Sequence, residues 1–255
     1  MSSLLNYKLE GEGQTIVLLH GLFGSLSNLG LLARDLVSDH RVLSLDLRNH
    51  GLSFHSQQHD YQLMAQDVLT TMEALSIDHA VVIGHSMGGK VAMKLAAMAP
   101  QIVSQLIVLD MAPVAYQVRR HDDVFQGLHS VIQHKPTSRS QALDLLAKHI
   151  ALDGVRQFLA KSLYNQDGHL AWRFNVDSLI NNYDAILGWE PIPPTEIPTL
   201  FLKGGDSPYL QNEHQAAVVQ QFTQAKAHVI ANTGHWLHAE KPAEVLRAIR
   251  KFIVS

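Results

Sequence analysis

One serine in this chain stands in a setting that could make it a nucleophile. Ser86 lies in Gly84-His85-Ser86-Met87-Gly88, which fits the pattern G-x-S-x-G. Apolar, β-branched residues precede this motif, and a helical pattern follows it up to Pro100. An abrupt turn from strand to helix strains the serine backbone and leaves no room for a Cβ at the flanking glycines. We therefore expect an exposed hydroxyl beside a helix N-terminus, where N–H groups can receive negative charge. A glycine-rich packing turn with an ordinary serine is the alternative.

A serine hydroxyl reacts only when a base takes its proton, and the base is normally a histidine held by a carboxylate. In a strand–turn–helix setting, the chain order is serine, acid, histidine. His235 follows Gly234 in the loop after the last predicted strand and fits the third place. The chain contains 16 histidines, so this choice depends on the position and on the Gly-His-Trp context. His238 is the fallback, although it lies closer to the last helix.

Two carboxylates lie at strand ends after the serine, namely Asp110 and Asp206. The usual acid after the later strand comes three residues beyond a glycine. Counting from Gly204 leads to Ser207, so Asp206 comes one residue early. Because a one-residue offset at a strand end points the side chain the other way, the residues favour Asp110, with Asp206 as the alternative. Ser207 is then a candidate auxiliary hydrogen-bonding group near the histidine.

Acyl chemistry at a serine also needs two preorganised donors for the oxyanion. The backbone N–H of Met87, directly after the serine, is the first candidate. The N–H of Leu22, directly after His20-Gly21, is the second. Phe23 and Trp236 are candidates for lining an apolar acyl pocket, although packing in the core would explain them equally well.

A short charged run follows the predicted acid. Arg119, Arg120 and His121 could steer an anionic part of a substrate, and Arg120 is the substrate-binding candidate of this group. A solvated charged face is the more common fate of such a run. Histidine pairs spaced three or four residues apart occur elsewhere, but none has the H-E-x-x-H context, so no metal site is predicted.

Composition limits the class of protein. The 255 residues are 46% hydrophobic and 17% charged, which suits one α/β domain, with or without an insertion. A net charge of −3 without a basic run gives no reason to expect nucleic acid or an anionic membrane as a partner. The chain has no cysteine, which excludes disulfides and thiol chemistry. No signal peptide or membrane span is recognisable, so we expect a cytoplasmic protein without an obligate protein partner.

Strand and helix patterns alternate over residues 15–110, which predicts a mostly parallel, doubly wound α/β sheet. From 111 to 194 helical patterns dominate, including one from Val155 to Leu163, and no buried strand is evident. We predict a core of residues 1–110 and 195–255. Residues 111–194 are predicted to form a helical lid, inserted after the sixth strand and lying over the carboxyl edge of the sheet.

Several motifs taken together resemble a known family. They are His20-Gly21-Leu22-Phe23-Gly24, Asp46-Leu47-Arg48-Asn49-His50-Gly51, Gly84-His85-Ser86-Met87-Gly88-Gly89, Asp110-Met111-Ala112-Pro113 and Gly234-His235-Trp236. The set looks like an α/β-hydrolase, and more closely like the YbfF-type bacterial esterases, over nearly the whole chain. The resemblance implies a carboxylesterase or acyl-thioesterase for small to medium acyl groups, with no cofactor. It also supports Asp110 over Asp206 as the acid.

The function predicted from the sequence is therefore hydrolysis of small-molecule esters or thioesters through an acyl-enzyme. The same three side chains could instead cleave a C–C bond or an amide. A protein of this fold could also bind a ligand without turnover, as a sensor. An intact set of Ser86, Asp110 and His235 weighs against that last alternative.

Overall fold

Nine strands occur in the computed structural model, which describes residues 3–253. They are β1 (Tyr7–Glu10), β2 (Thr15–Leu19), β3 (Arg41–Leu45), β4 (Ala80–His85), β5 (Val103–Leu109), β6 (Leu163–Gln166), β7 (His169–Trp172), β8 (Thr199–Gly204) and β9 (Ala225–Ile230). Seven of them form one sheet in the order β1-β3-β2-β4-β5-β8-β9. Strand β1 lies antiparallel at one edge, and the other neighbours in this sheet are parallel. The predicted doubly wound α/β sheet is confirmed.

Eleven α-helices accompany the strands in the described residues. They are α1 (Gly30–Leu36), α2 (Tyr61–Ala74), α3 (Met87–Met98), α4 (Asp122–His134), α5 (Arg139–Ala147), α6 (Asp153–Ala160), α7 (Val176–Asn181), α8 (Tyr183–Leu187), α9 (Gln215–Gln221), α10 (Leu237–Glu240) and α11 (Pro242–Ile253). None of the helices in residues 3–253 combines the length and the apolar character needed to cross a bilayer.

Both faces of the sheet are covered, which explains why its central strands are apolar throughout. All residues of β2 and β4 are buried. One core cluster joins apolar residues of the sheet to helices α1 and α11, and the other joins them to α2 and α3. A parallel strand that is covered on both faces needs no polar face. Continuous apolar runs such as Thr15–Leu19 therefore predicted the buried strands correctly.

The helical segment follows the fifth strand of the described chain, because only β1 to β5 precede Asp110. The prediction of an insertion after a sixth strand is therefore wrong. The sheet begins with the single antiparallel strand β1, and four parallel strands follow it before the segment. Helices α4 to α8 and the hairpin β6–β7 occupy the interval between β5 and β8.

The hairpin inside this segment was not predicted. Strands β6 and β7 pair antiparallel around Asp167-Gly168, whose φ angles are 52° and 86°. Two successive positive φ angles are what a type I′ turn requires, and Asp-Gly is one of its preferred dipeptides. Helix α6 ends at Ala160, so the helix predicted from Val155 to Leu163 is too long, and Leu163 opens β6 instead. Because β6 and β7 are only partly buried, their sequence contains no continuous apolar run from which strands could have been predicted.

A buried lysine ties the end of α8 to the core. Lys90 is fully buried on α3, and its Nζ donates to the carbonyls of Leu187 at 3.1 Å and Gly188 at 2.9 Å. Burial lowers the pKa of Lys90 from 10.5 to about 7. Because the ammonium loses its hydration shell in the fold, the folded protein releases this proton at a lower pH than the unfolded chain does.

This shift predicts how stability changes in alkaline solution. Between pH 7 and 10 the unfolded chain holds a proton on Lys90 that the folded protein has lost, so the free energy of unfolding rises with pH. The contribution should approach about 1.4 kcal/mol per pH unit. Lys90→Met should remove it. Urea unfolding of both proteins across this pH range measures the difference, and parallel curves would contradict the shifted pKa.

Candidate active site

Ser86 occupies a sharp turn between β4 and α3. Its φ of 54° and ψ of −121° are unusual for a residue with a side chain. A Cβ on Gly84 would overlap the carbonyl of Gly88, and a Cβ on Gly88 would overlap the carbonyl of Leu19. The two glycines are therefore required for close packing, as the sequence pattern predicted. The strained backbone holds the serine at the carboxyl end of β4, above the sheet.

The three side chains predicted to act together lie in contact. The Oγ of Ser86 lies 2.7 Å from Nε2 of His235. The Nδ1 of His235 lies 2.6 Å from Oδ2 of Asp110, whose side chain is fully buried at the end of β5. When Nδ1 carries the proton and donates it to Asp110, Nε2 is free to accept the hydrogen bond of the serine hydroxyl.

The contacts of Asp110 distinguish it from the alternative acid. Its Oδ1 accepts the backbone N–H of Gly204 at 2.9 Å, and its Oδ2 also accepts the hydroxyl of Ser207. Ser207, the predicted auxiliary group, thus contacts the carboxylate rather than the imidazole. Asp206 is exposed, and within residues 3–253 its side chain makes no hydrogen bond or ion pair with His235. The structure brings Asp110, and not Asp206, to the histidine.

Two further residues hold His235 in place, and neither was predicted. The ring of Tyr209 stacks on the ring of His235, with centroids 3.9 Å apart and planes at 22°. Nε2 of His85 donates to the backbone carbonyl of His235 at 2.8 Å. His85 is the variable residue before the serine in the G-x-S-x-G motif. The motif therefore located His85 beside Ser86 but did not indicate its hydrogen bond to His235. No sequence pattern indicated the stacking of Tyr209.

The two predicted oxyanion donors lie beside Ser86. The loop of Leu22 approaches closely, since a Cβ on Gly21 would lie 3.2 Å from Cβ of Ser86. Within residues 3–253, neither the N–H of Leu22 nor that of Met87 donates to another protein group. Buried N–H groups rarely stay unpaired, so two free donors next to a serine are available to a ligand oxygen.

Two buried histidines fix the loop that carries Leu22. Nε2 of His50 accepts the N–H of Phe23 at 3.1 Å, while its Nδ1 donates to the carbonyl of Arg48 at 2.9 Å. Nε2 of His20 accepts the N–H of Leu47 at 3.0 Å. An imidazole accepts a hydrogen bond only when it is neutral, and burial lowers the pKa of both histidines below the usual 6.5.

Replacing His50 with phenylalanine should therefore disturb the loop while leaving the reacting side chains in place. We expect kcat for ester hydrolysis to fall by about 10- to 100-fold, since a small misplacement of an oxyanion donor is costly. KM should rise as well, because Leu22 and Phe23 of the disturbed loop also line the binding cavity. Steady-state kinetics measure both constants. An unchanged kcat would show that the loop keeps its position without this hydrogen bond.

A cavity of about 440 Å³ opens beside Ser86 and His235. Phe23, Arg120 and Trp236, the three predicted substrate-binding residues, all line it. The Phe23 side chain is buried. The guanidinium of Arg120 lies 5.4 Å from the centroid of the Tyr209 ring. No cluster of three or more His, Asp or Glu side chains within residues 3–253 has an arrangement that could hold a metal ion.

Comparison with known proteins identifies the family. The family described as "alpha/beta hydrolase fold" matches residues 14–242. This chain belongs to the α/β-hydrolase family. The α/β-hydrolase is 50% identical to esterase YbfF of Escherichia coli, an alignment covering 93% of this chain and 92% of that one. It is 38% identical to the mouse protein named sn-1-specific diacylglycerol lipase ABHD11, over 93% of this chain and 80% of the relative.

A solved structure named "Marine microorganism esterase" is similar to this α/β-hydrolase over almost its whole length. The TM-score is 0.95 at 33% identity, and the alignment covers 98% of this chain and 100% of the other. The predicted resemblance to YbfF-type esterases and the prediction of an enzyme of the carboxylesterase type are therefore confirmed. Ser86, Asp110 and His235 all lie within residues 14–242, the part of the chain that matches the family.

Proposed function

We propose that this α/β-hydrolase cleaves carboxylic esters by transferring the acyl group first to Ser86 and then to water. One observation supports this most directly. The hydrogen-bond path from Asp110 through His235 ends on the hydroxyl of Ser86, with neighbouring distances of 2.6 and 2.7 Å. Both contacts are short enough for proton transfer without any rearrangement of the chain.

In the first half of the reaction, Oγ of Ser86 attacks the carbonyl carbon while Nε2 of His235 takes its proton. The negative oxygen that forms is held by the N–H groups of Leu22 and Met87, each worth roughly 3 kcal/mol of barrier. Asp110 stabilises the imidazolium. His235 then passes the proton to the leaving oxygen, and the bond from that oxygen to the acyl carbon breaks.

In the second half, a water molecule replaces the alcohol. His235 takes a proton from the water, whose oxygen attacks the acyl carbon on Ser86. The second tetrahedral species collapses when the proton returns to Oγ of Ser86, which releases the carboxylic acid. Through both steps, stacking on Tyr209 supports the plane of the imidazole, and the hydrogen bond from His85 holds the backbone of His235.

The substrate class proposed is esters or acyl thioesters of small to medium acyl groups. The names of two relatives, an esterase and a diacylglycerol lipase, support ester substrates, while thioesters rest on the predicted resemblance. Residues 111–194 act as the lid in this proposal, since Arg120 and Phe158 from that segment line the cavity over Ser86. Activity in the cytoplasm stays a prediction from the sequence.

A panel with one acyl group tests the reaction class. Ethyl butyrate, the butyryl thioester of ethanethiol, butyryl ethylamide and a diketone with the same chain would be offered at equal concentration. We expect kcat/KM for the ester or the thioester to exceed that for the amide and the diketone by at least about a thousandfold. Faster cleavage of the amide or of the C–C bond would replace this proposal with the alternative hydrolase reactions.

A further inference from the structure

Ser86 stands between two spaces of very different size. The first is the large cavity of about 440 Å³, which is lined by His235 and Phe158. The second is a small chamber of about 30 Å³, lined by Met87, Met111 and Ile186. Ser86 and Leu22 belong to the walls of both. An ester bound with its carbonyl carbon at Oγ therefore extends one substituent toward each space.

The position of the imidazole decides which substituent goes where. His235 must hand its proton to the leaving oxygen, so that oxygen lies on the side of the imidazole. His235 lines the large cavity and does not line the small chamber. The alcohol part of the ester therefore extends into the large cavity, and the acyl chain extends past Met87 into the small chamber.

The volume of the small chamber limits the acyl chain. One water-sized group needs about 10–15 Å³ measured in this way, so about 30 Å³ holds roughly two such groups beyond the carbonyl carbon. This fits acyl groups of about two to four carbons. The large cavity holds roughly fifteen times that volume and suits a long or bulky alcohol.

The far wall of the chamber is fixed by hydrogen bonds, so it resists displacement. The hydroxyl of Tyr61 donates to the carbonyl of Ile186 at 2.6 Å. The carbonyl of Leu187 accepts both the N–H of Tyr116 at 2.9 Å and Nζ of Lys90 at 3.1 Å. Moving the end of α8 outward would leave these polar groups without partners, which is unfavourable away from solvent.

We infer that this hydrolase is selective for short acyl groups and tolerant of long alcohols, because the acyl chain enters the small chamber while the alcohol occupies the large cavity. The inference rests on the proposed function and narrows its substrate class. It assigns Ile186 and Met111 as residues that set acyl length, and Phe158 as a residue that contacts the alcohol.

Two isomeric esters give a direct test. Ethyl octanoate and octyl acetate have the same atoms and the same chain lengths, but the long chain is on the acyl side in one and on the alcohol side in the other. After correction for their rates of alkaline hydrolysis, we expect kcat/KM for octyl acetate to be at least about 10-fold higher. Equal values, or a preference for ethyl octanoate, would overturn the inference.

Variants of the chamber wall test whether the small chamber sets the preference for short acyl chains. Ile186→Ala should raise kcat/KM for ethyl octanoate by at least about fivefold, whereas the matched change Phe158→Ala, in the large cavity, should not raise it. Ile186→Val should act in the same direction if the alanine variant does not fold. If Phe158→Ala rather than Ile186→Ala improves ethyl octanoate, the acyl chain lies in the large cavity and the assignment is wrong.

The failure of this inference can be told from the failure of the proposed function. If ethyl acetate and both isomers are hydrolysed and this activity is lost in Ser86→Ala, the proposed function stands. The ratio of kcat/KM for octyl acetate to that for ethyl octanoate then tests acyl selectivity by itself. If none of the three esters is hydrolysed above background, the proposed ester hydrolysis is contradicted, and the inference falls with it.

Discussion

Replacing Ser86 with alanine should abolish hydrolysis of p-nitrophenyl butyrate, with kcat falling by about a millionfold toward the background rate. The change removes the only atom that attacks the carbonyl carbon in the proposed reaction, and no other hydroxyl contacts Nε2 of His235 in residues 3–253. The rest of the cavity wall is unchanged, so the variant should still bind substrate. Release of p-nitrophenol, followed by its absorbance, measures the loss.

The chain offers a matched control for this change. Ser104 is exposed on β5 and makes no hydrogen bond with its side chain in the described structure. Ser104→Ala should leave kcat within about twofold, because exposed substitutions far from a site are usually neutral. Thermal unfolding should show that both variants fold. If Ser86→Ala keeps more than about one hundredth of the activity, Ser86 is not the nucleophile.

Replacing Asp110 with asparagine should lower kcat by about 10⁴-fold. An amide at this position can donate its N–H to Nδ1 of His235. That hydrogen bond would keep the imidazole proton on Nε2, where it blocks acceptance of the proton from Ser86. The shape of the buried site would stay almost the same, so the loss reports the wrong tautomer rather than a cavity. Kinetics with p-nitrophenyl butyrate give the comparison.

The matched control is Asp206→Asn. It makes the same chemical change on an exposed carboxylate, two residues after the end of β8. Its kcat should stay within about twofold of the unaltered protein. A larger loss in Asp206→Asn than in Asp110→Asn would mean that the acid comes from the later strand, against the observed contact between Asp110 and His235.

The sequence was informative where the constraint is local. The two glycines around Ser86 are set by contacts within five residues of the turn and with the neighbouring strand, and their pattern predicted the turn correctly. The proline that opens α11 likewise reflects local geometry, and a strand covered on both faces shows a continuous apolar run in the sequence whichever elements cover it. The sequence therefore predicted the sheet, the sharp turn at Ser86 and the position of the loop that carries His235.

Contacts between distant segments were harder to predict. The choice between Asp110 and Asp206 depends on which way each side chain points at the ends of adjacent strands β5 and β8. The residues favoured Asp110 but kept Asp206 as an alternative. The stacking of Tyr209 on His235 and the hydrogen bond from Phe23 to His50 join segments far apart in the chain. No spacing within either segment specifies such partners.

The central claim is that the hydroxyl of Ser86, paired with His235, forms a covalent bond to the substrate. Reaction with a fluorophosphonate probe, followed by mass spectrometry of peptides, tests it most directly. We predict one adduct, on Ser86, that is absent from Ser86→Ala and forms at least about a thousandfold more slowly in His235→Ala. An active enzyme that carries no adduct on Ser86, or one labelled at another residue, would contradict the claim.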